Sequence, residues 1–126
     1  MEFDEGKPIY AQIADMVREG VLQGTWDEEE RIPSIREMAV ETEVNPNTVT
    51  RTYSLLQEQG VVYNRRGIGY FIASGAREKT KDIMRDEFIE NELPAFFRKL
   101  EVLGLTVAEV AELYEKQREE SEHEDE

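Results

Sequence analysis

Apolar positions recur at helical spacing near the start of the chain. Ile9, Ile13, Met16, Val17 and Val21 fall on one face of a helix predicted over residues 8–23. Pro8 suits its first turn, where a missing N–H is no loss, and Gly24 suits its C-terminal cap. From Thr25 to Arg31 the period disappears and Asp27 to Glu30 are consecutive acids, a surface loop with Trp26 as its anchor. Ser34-Ile35-Arg36-Glu37 is a capping box, which opens a second helix with Ile35, Met38 and Ala39 on its apolar face and an end near Thr42. Asn45 followed by Pro46 opens a third, faced by Val49, Tyr53 and Leu56 and closed by Gly60. Two β-like runs, Val61-Val62-Tyr63 and Gly69-Tyr70-Phe71-Ile72, flank a turn at Asn64-Arg65-Arg66-Gly67-Ile68.

The order is helix, helix, short turn, helix, hairpin. Only Glu43-Val44 separates the second and third helices, the spacing of a helix-turn-helix, and the hairpin that follows makes it a winged one. The expected fold is mainly α with a small β-hairpin, a winged helix-turn-helix over residues 1–75. After Gly75 the chain becomes charged and helical, with Pro94 expected to kink that helix or start a new one. Gly104 ends it, and the capping box Thr106-Val107-Ala108-Glu109 opens a last helix to about Arg118, with Val107, Val110, Ala111 and Tyr114 inward. Residues 119–126 carry six acids and no apolar side chain, and are expected to be a solvated, disordered tail.

The third helix is the chemically informative one. A recognition helix offers its N-terminal residues to base edges in the major groove. Here those are Asn45, Asn47, Thr48 and, one turn on, Arg51. Asn pairs bidentately with adenine and Arg with guanine. Ser34 and Arg36 stand in the first turn of the second helix, whose free N–H groups and positive dipole end attract phosphate. Arg65, Arg66 and Gly67 put two charges and a close-approach glycine on the wing tip. Tyr53 lies on the apolar face yet is long enough to reach a phosphate. Arg31 stands beside acids with which it can pair. Phe88, Leu93, Phe96, Phe97, Leu100 and Leu103 exceed what one isolated helix can bury. Part of that surface is expected against the last helix and the rest against a second copy, so residues 76–118 form a helical dimerisation region. Two-fold symmetry then suits a palindromic operator.

Four stretches together resemble the GntR family of bacterial transcription regulators. They are Pro8-Ile9-Tyr10-Ala11-Gln12-Ile13, Arg31 to Ala39 (Arg-Ile-Pro-Ser-Ile-Arg-Glu-Met-Ala), Val44-Asn45-Pro46-Asn47-Thr48-Val49, and Arg65-Arg66-Gly67-Ile68-Gly69-Tyr70-Phe71. The short helical remainder is similar to the YtrA subfamily, whose C-terminal helices mainly dimerise. The resemblance implies a homodimeric, DNA-binding repressor, with Arg36, the residues around Asn45–Thr48 and the wing at Arg66-Gly67 at DNA-contacting positions. Other subfamilies often carry Arg where Pro46 and Thr50 stand. Here base readout rests instead on Asn47, Thr48, Arg36 and Arg51.

Composition first argues the other way. The 126 residues carry a net charge of −14, the opposite of the usual nucleic-acid footprint. The charge is unevenly placed: −7 over residues 1–30, +1 over 31–75 and −8 over 76–126. From Val44 to Gly75 there are three Arg against Glu58 alone. The expectation is selective binding of double-stranded DNA with little non-specific background. The absence of cysteine excludes disulfides and thiol chemistry, no run is long enough to span a membrane, and the acidic N-terminus is no secretory signal. The chain is therefore expected in the cytoplasm. No phosphate loop, metal-ligand spacing or Ser/His pair points to an enzyme or a cofactor, and His123 has no partner at such spacing. No convergent polar groups assign a small-molecule effector. The alternative function is a protein-interaction module on the same scaffold.

Overall fold

The computed structural model describes residues 1–124, which fall into two compact units, the first ending at Met84 and the second beginning at Arg85. Helix α1 (Ile9–Gln23) buries Ile13, Ala14, Val17 and Val21, four of one face, while Ile9 at its start stays exposed. The Pro8 carbonyl accepts from the N–H groups of Ala11 and Gln12, and Gly24 ends the helix in the left-handed region, as its cap position demands. Helix α2 (Ile35–Thr42) starts at the Ser34 capping box, with both reciprocal bonds made. Helix α3 (Pro46–Glu58) starts at Asn45, whose side-chain oxygen accepts from the Asn47 N–H.

The core lies between these helices and the hairpin, and each fully buried Leu, Ile or Val contributes about 1.5–3 kcal/mol. Tyr53 is at its centre with no exposed surface, edge-on to Tyr70, and its hydroxyl donates to the Pro33 carbonyl over 2.6 Å. Burial pushes its phenol far above the ordinary range. Arg18 is also buried, ion-paired to Asp15 at 2.8 Å and forked onto Gln59 Oε1 at 2.9 and 3.2 Å, so it ties α1 to the end of α3 with its charge compensated.

Strands β1 (Val62–Arg65) and β2 (Gly69–Ile72) form an antiparallel hairpin with Val62 opposite Ile72 and Arg65 opposite Gly69. Asn64 and Arg65 therefore belong to the ladder rather than to the turn, and the tip contracts to Arg66–Ile68. The acidic segment is not a free loop. Ile32 donates to Tyr70, Ile72 to Glu30 and Glu29 to Ile72, all through backbone groups, so residues 29–32 edge β2. Glu28 accepts from the Gly75 N–H at 2.6 Å just ahead of helix α4 (Ala76–Glu87), a carboxylate at a helix N-terminus. Ala76 and Thr80 of α4 are buried and Ile83 packs on the core, so the first unit extends past Gly75, where composition alone placed its end.

In the second unit, Phe88–Glu92 winds as a π turn, with the Leu93 N–H reaching back to Phe88. The cause is Pro94, which lacks an N–H and whose ring crowds the carbonyl four residues back; the wider turn accommodates both. Helix α5 (Leu93–Leu103) and helix α6 (Val107–Glu124) follow, α6 starting at the Thr106 capping box. Helix α6 continues beyond Arg118 to Glu124, where a disordered tail was expected; glutamate is a good helix former, and six more residues extend the existing turns. Residues 125–126 of that tail lie outside the described residues. Leu100 is the single buried residue of α5, and α6 buries none: Val107 and Tyr114, expected inward, are exposed, and Val110 is half-buried. Among the described residues, no helix is long and apolar enough to cross a membrane.

Candidate nucleic-acid interface

Three elements carry the polar residues singled out above. At the start of α3, Asn45, Pro46 and Asn47 are exposed and Thr48 is half-buried. Asn45 contributes its oxygen to the cap, which leaves its amide N–H groups and the whole Asn47 side chain for an outside partner. Thr50, on the next turn, bonds back to the Pro46 carbonyl at 3.0 Å. Arg51 is exposed and lies over the Tyr10 ring, 3.9 Å from its centroid, so α1 holds the guanidinium in place by a cation–π contact. At the start of α2, Ser34 Oγ is engaged in the capping box, and Arg36 extends into solvent.

Tyr53 does not join this surface. Its ring is enclosed and its hydroxyl is already bonded to Pro33, so it is a core residue that fixes α3 against the chain leading into α2.

The wing is an aromatic and cationic ladder. Tyr63 and Phe71, opposite one another, stack at 5.7 Å, and the Arg65 guanidinium sits 5.1 Å from the Phe71 centroid. Arg66 and Gly67 occupy the exposed tip. Arg31 adds a third guanidinium that sequence reasoning did not place there. It bridges to Phe71 through its backbone, and its side chain lies over Gly69, where an added Cβ would meet Nε at 2.9 Å. Gly69 also has φ 144°, so both its backbone and its lack of a side chain are required. No local signal in the sequence places Arg31 there, because its pairing with β2 is visible only in the fold.

Among the described residues, none of Arg31, Arg36, Arg51, Arg65 or Arg66 is held in an ion pair, whereas buried Arg18 is. The neighbouring acids are engaged with other groups. Glu29 accepts from the Tyr63 hydroxyl, which raises that phenol's pKa, and Glu30 accepts from the Asp27 N–H. The Ser34 bonds hold Glu37 below the ordinary carboxylate range, with the nearby Arg31 charge acting in the same direction. Caps, cations and amides of this kind suit a polyanion with readable base edges.

Comparison with known proteins agrees. Residues 9–72 match the family of bacterial regulatory proteins described as the gntR family. The HTH-type transcriptional regulator YhcF of Bacillus subtilis is 42% identical over 116 residues, covering 88% of this chain and 90% of that one. The HTH-type transcriptional repressor YtrA of the same organism is 37% identical over 70 residues, 56% of this chain and 54% of its own length. A GntR-family regulator from Bacteroides thetaiotaomicron has a crystal structure that superposes with TM-score 0.76 at 43% identity, covering 90% of this chain and 99% of that one. The DNA-binding domain of AraR, solved with its operator, matches 58% of this chain and 86% of its own at 29% identity and TM-score 0.53. With its winged helix matched throughout and a relative similar over nearly its full length, the chain belongs to the GntR family and is a DNA-binding transcriptional regulator.

Proposed function

We propose that the chain acts as a homodimeric repressor on a palindromic operator, with the starts of α2 and α3 in the major groove and the wing on the flanking backbone. The observation that carries this reading is the set of arginines without an ion pair among the described residues, Arg31, Arg36, Arg51, Arg65 and Arg66, gathered on one domain of a chain whose net charge is −14. Asn47 and Thr48 with Arg36 and Arg51 read bases; Ser34 and Asn45 offer capped helix ends to phosphate; Arg65, Arg66, Gly67 and Arg31 grip the backbone. Dimerisation is assigned to the second unit, where Phe88, Phe96, Phe97 and Leu103 are exposed and flank half-buried Leu93 and buried Leu100. That much contiguous apolar surface is characteristic of an interface. The AraR domain with its operator and the repressor YtrA support the assignment by similarity. Such a repressor works in the cytoplasm, where the chromosome is.

The test is an anisotropy titration of the full chain against the upstream region of its own gene. At about 50 mM salt, where phosphate contacts are strongest, tight binding to an inverted repeat is expected, falling steeply with added salt. Indifference to that DNA under those conditions overturns the operator assignment and favours a protein partner.

A further inference from the structure

A cleft of about 380 Å³ opens on the first unit between α1, α2 and the Trp26 loop, and none of the residues assigned to DNA lines it. The volume falls within the roughly 300–1,000 Å³ of small-ligand sites. Its walls are apolar: Met16 from α1, Met38 from α2, and the indole of Trp26. Methionines of this kind adapt to varied shapes. Trp26 is placed by Gly20, where a Cβ would come within 2.6 Å of the indole Cζ3. With no side chain at Gly20, the ring lies against the helix while still lining the cleft.

Among the described residues, the charged side chains lining the cleft are those of Glu19 on α1 and Glu41 on α2, both exposed; Met1 also lines it and sets its single α-amino charge against the two carboxylates, and no Lys or Arg side chain is present. Neither carboxylate is held in an ion pair among the described residues. An aromatic face, soft apolar walls and two carboxylates at one opening are complementary to an organic cation. We infer that this cleft binds a small lipophilic cation, whose charge lies by Glu19 and Glu41 and whose apolar body lies against Trp26, Met16 and Met38.

The site has a built-in consequence for operator binding. Met38, Glu41 and Thr42 form the last turn of α2, and Glu43 directly after them holds the helix-turn-helix turn at a positive φ of 59°. A ligand that displaced the end of α2 would thus act one residue from the turn that leads into α3.

Trp26 is the only tryptophan, so its fluorescence reports the cleft directly. The full chain is titrated with benzyltrimethylammonium chloride and, separately, with sodium benzenesulfonate as an anion of similar size. A saturable change is expected with the cation, and a response at least about tenfold weaker with the anion. The Glu19→Gln/Glu41→Gln double variant alters two exposed side chains, so its fold is preserved; its cation affinity is expected to drop about tenfold or more. Methyl NMR of Met16 and Met38 gives a second readout and should shift with the same midpoint. No saturation in either signal, an equal response to both ions, or an unchanged affinity in the double variant overturns the assignment. Because neither readout involves DNA, these outcomes stand apart from those of the operator titration.

Discussion

The Tyr63 hydroxyl donates to Oε2 of Glu29 over 2.6 Å, which pins the acidic segment to the first strand of the wing. The bond favours the protonated phenol, so the Tyr63 pKa is raised from its ordinary 10.0. A group raised in the folded state stabilises fully below its unfolded value and loses that contribution as pH rises through the folded one. Denaturant unfolding of the wild type and Tyr63→Phe should therefore differ by a constant amount at neutral pH. The difference should shrink above pH 10, and a gap that persists unchanged there contradicts the bond's role.

Ser34 and Glu37 give the opposite sign. Their reciprocal bonds hold Glu37 below its ordinary 4.5, so the contribution is complete above that value and is lost as pH falls through the lower folded one. Ser34→Ala should cost about 1 kcal/mol of stability at neutral pH. The deficit should narrow in acid, and NMR titration should return Glu37 toward 4.5.

Arg36 and Arg66 should separate base reading from backbone grip. Arg36→Ala should weaken operator binding by about 1–3 kcal/mol while discriminating less between operator and mutated sites. Arg66→Ala should weaken all sequences alike and lower the salt slope by about 1. Anisotropy titrations at several salt concentrations measure both.

Tyr53→Phe tests the core assignment. It leaves the Pro33 carbonyl without its buried donor, at a cost of about 1–3 kcal/mol in chemical denaturation. Operator affinity of the still-folded variant should remain within twofold of wild type, or roughly 0.4 kcal/mol.

For the second unit, the Phe96→Asp/Phe97→Asp variant places charge on two exposed rings that lie 6.3 Å apart. Sedimentation should show a dimer for the wild type and a monomer for the variant, and the variant should bind half-sites only. A variant that remains a dimer moves the interface elsewhere.

Local features were the most legible in the sequence. The caps at Ser34, Asn45 and Thr106 and the helix end at Gly24 formed where predicted, because each depends on residues within one turn. Contacts between distant segments were not legible. Glu28 reaches Gly75 across 47 residues, and nothing in a run of four acids distinguishes a capping carboxylate from a solvated one. Arg31 reads as the end of a loop until β2 is folded beside it. Tyr53 shows why a periodic face is better trusted than side-chain reach: its position on that face placed it in the core, and its length serves Pro33. The composition change at Gly75 marks where the chain turns charged, whereas the first unit's packing runs on through Ala76, Thr80 and Ile83.

Helix α6 buries no residue within one chain, although its capping box is complete. With no buried residue, this 18-residue helix draws little on the tertiary packing that supplies most helical stability in proteins. Where the proposed dimer extends over α6 as well as the Phe96 surface, ordering of this segment and association of two chains become one equilibrium, and its helicity rises with protein concentration. For the proposed repressor, scarcity in the cell would then weaken repression by leaving its C-terminal helix less ordered as well as by leaving operators unfilled.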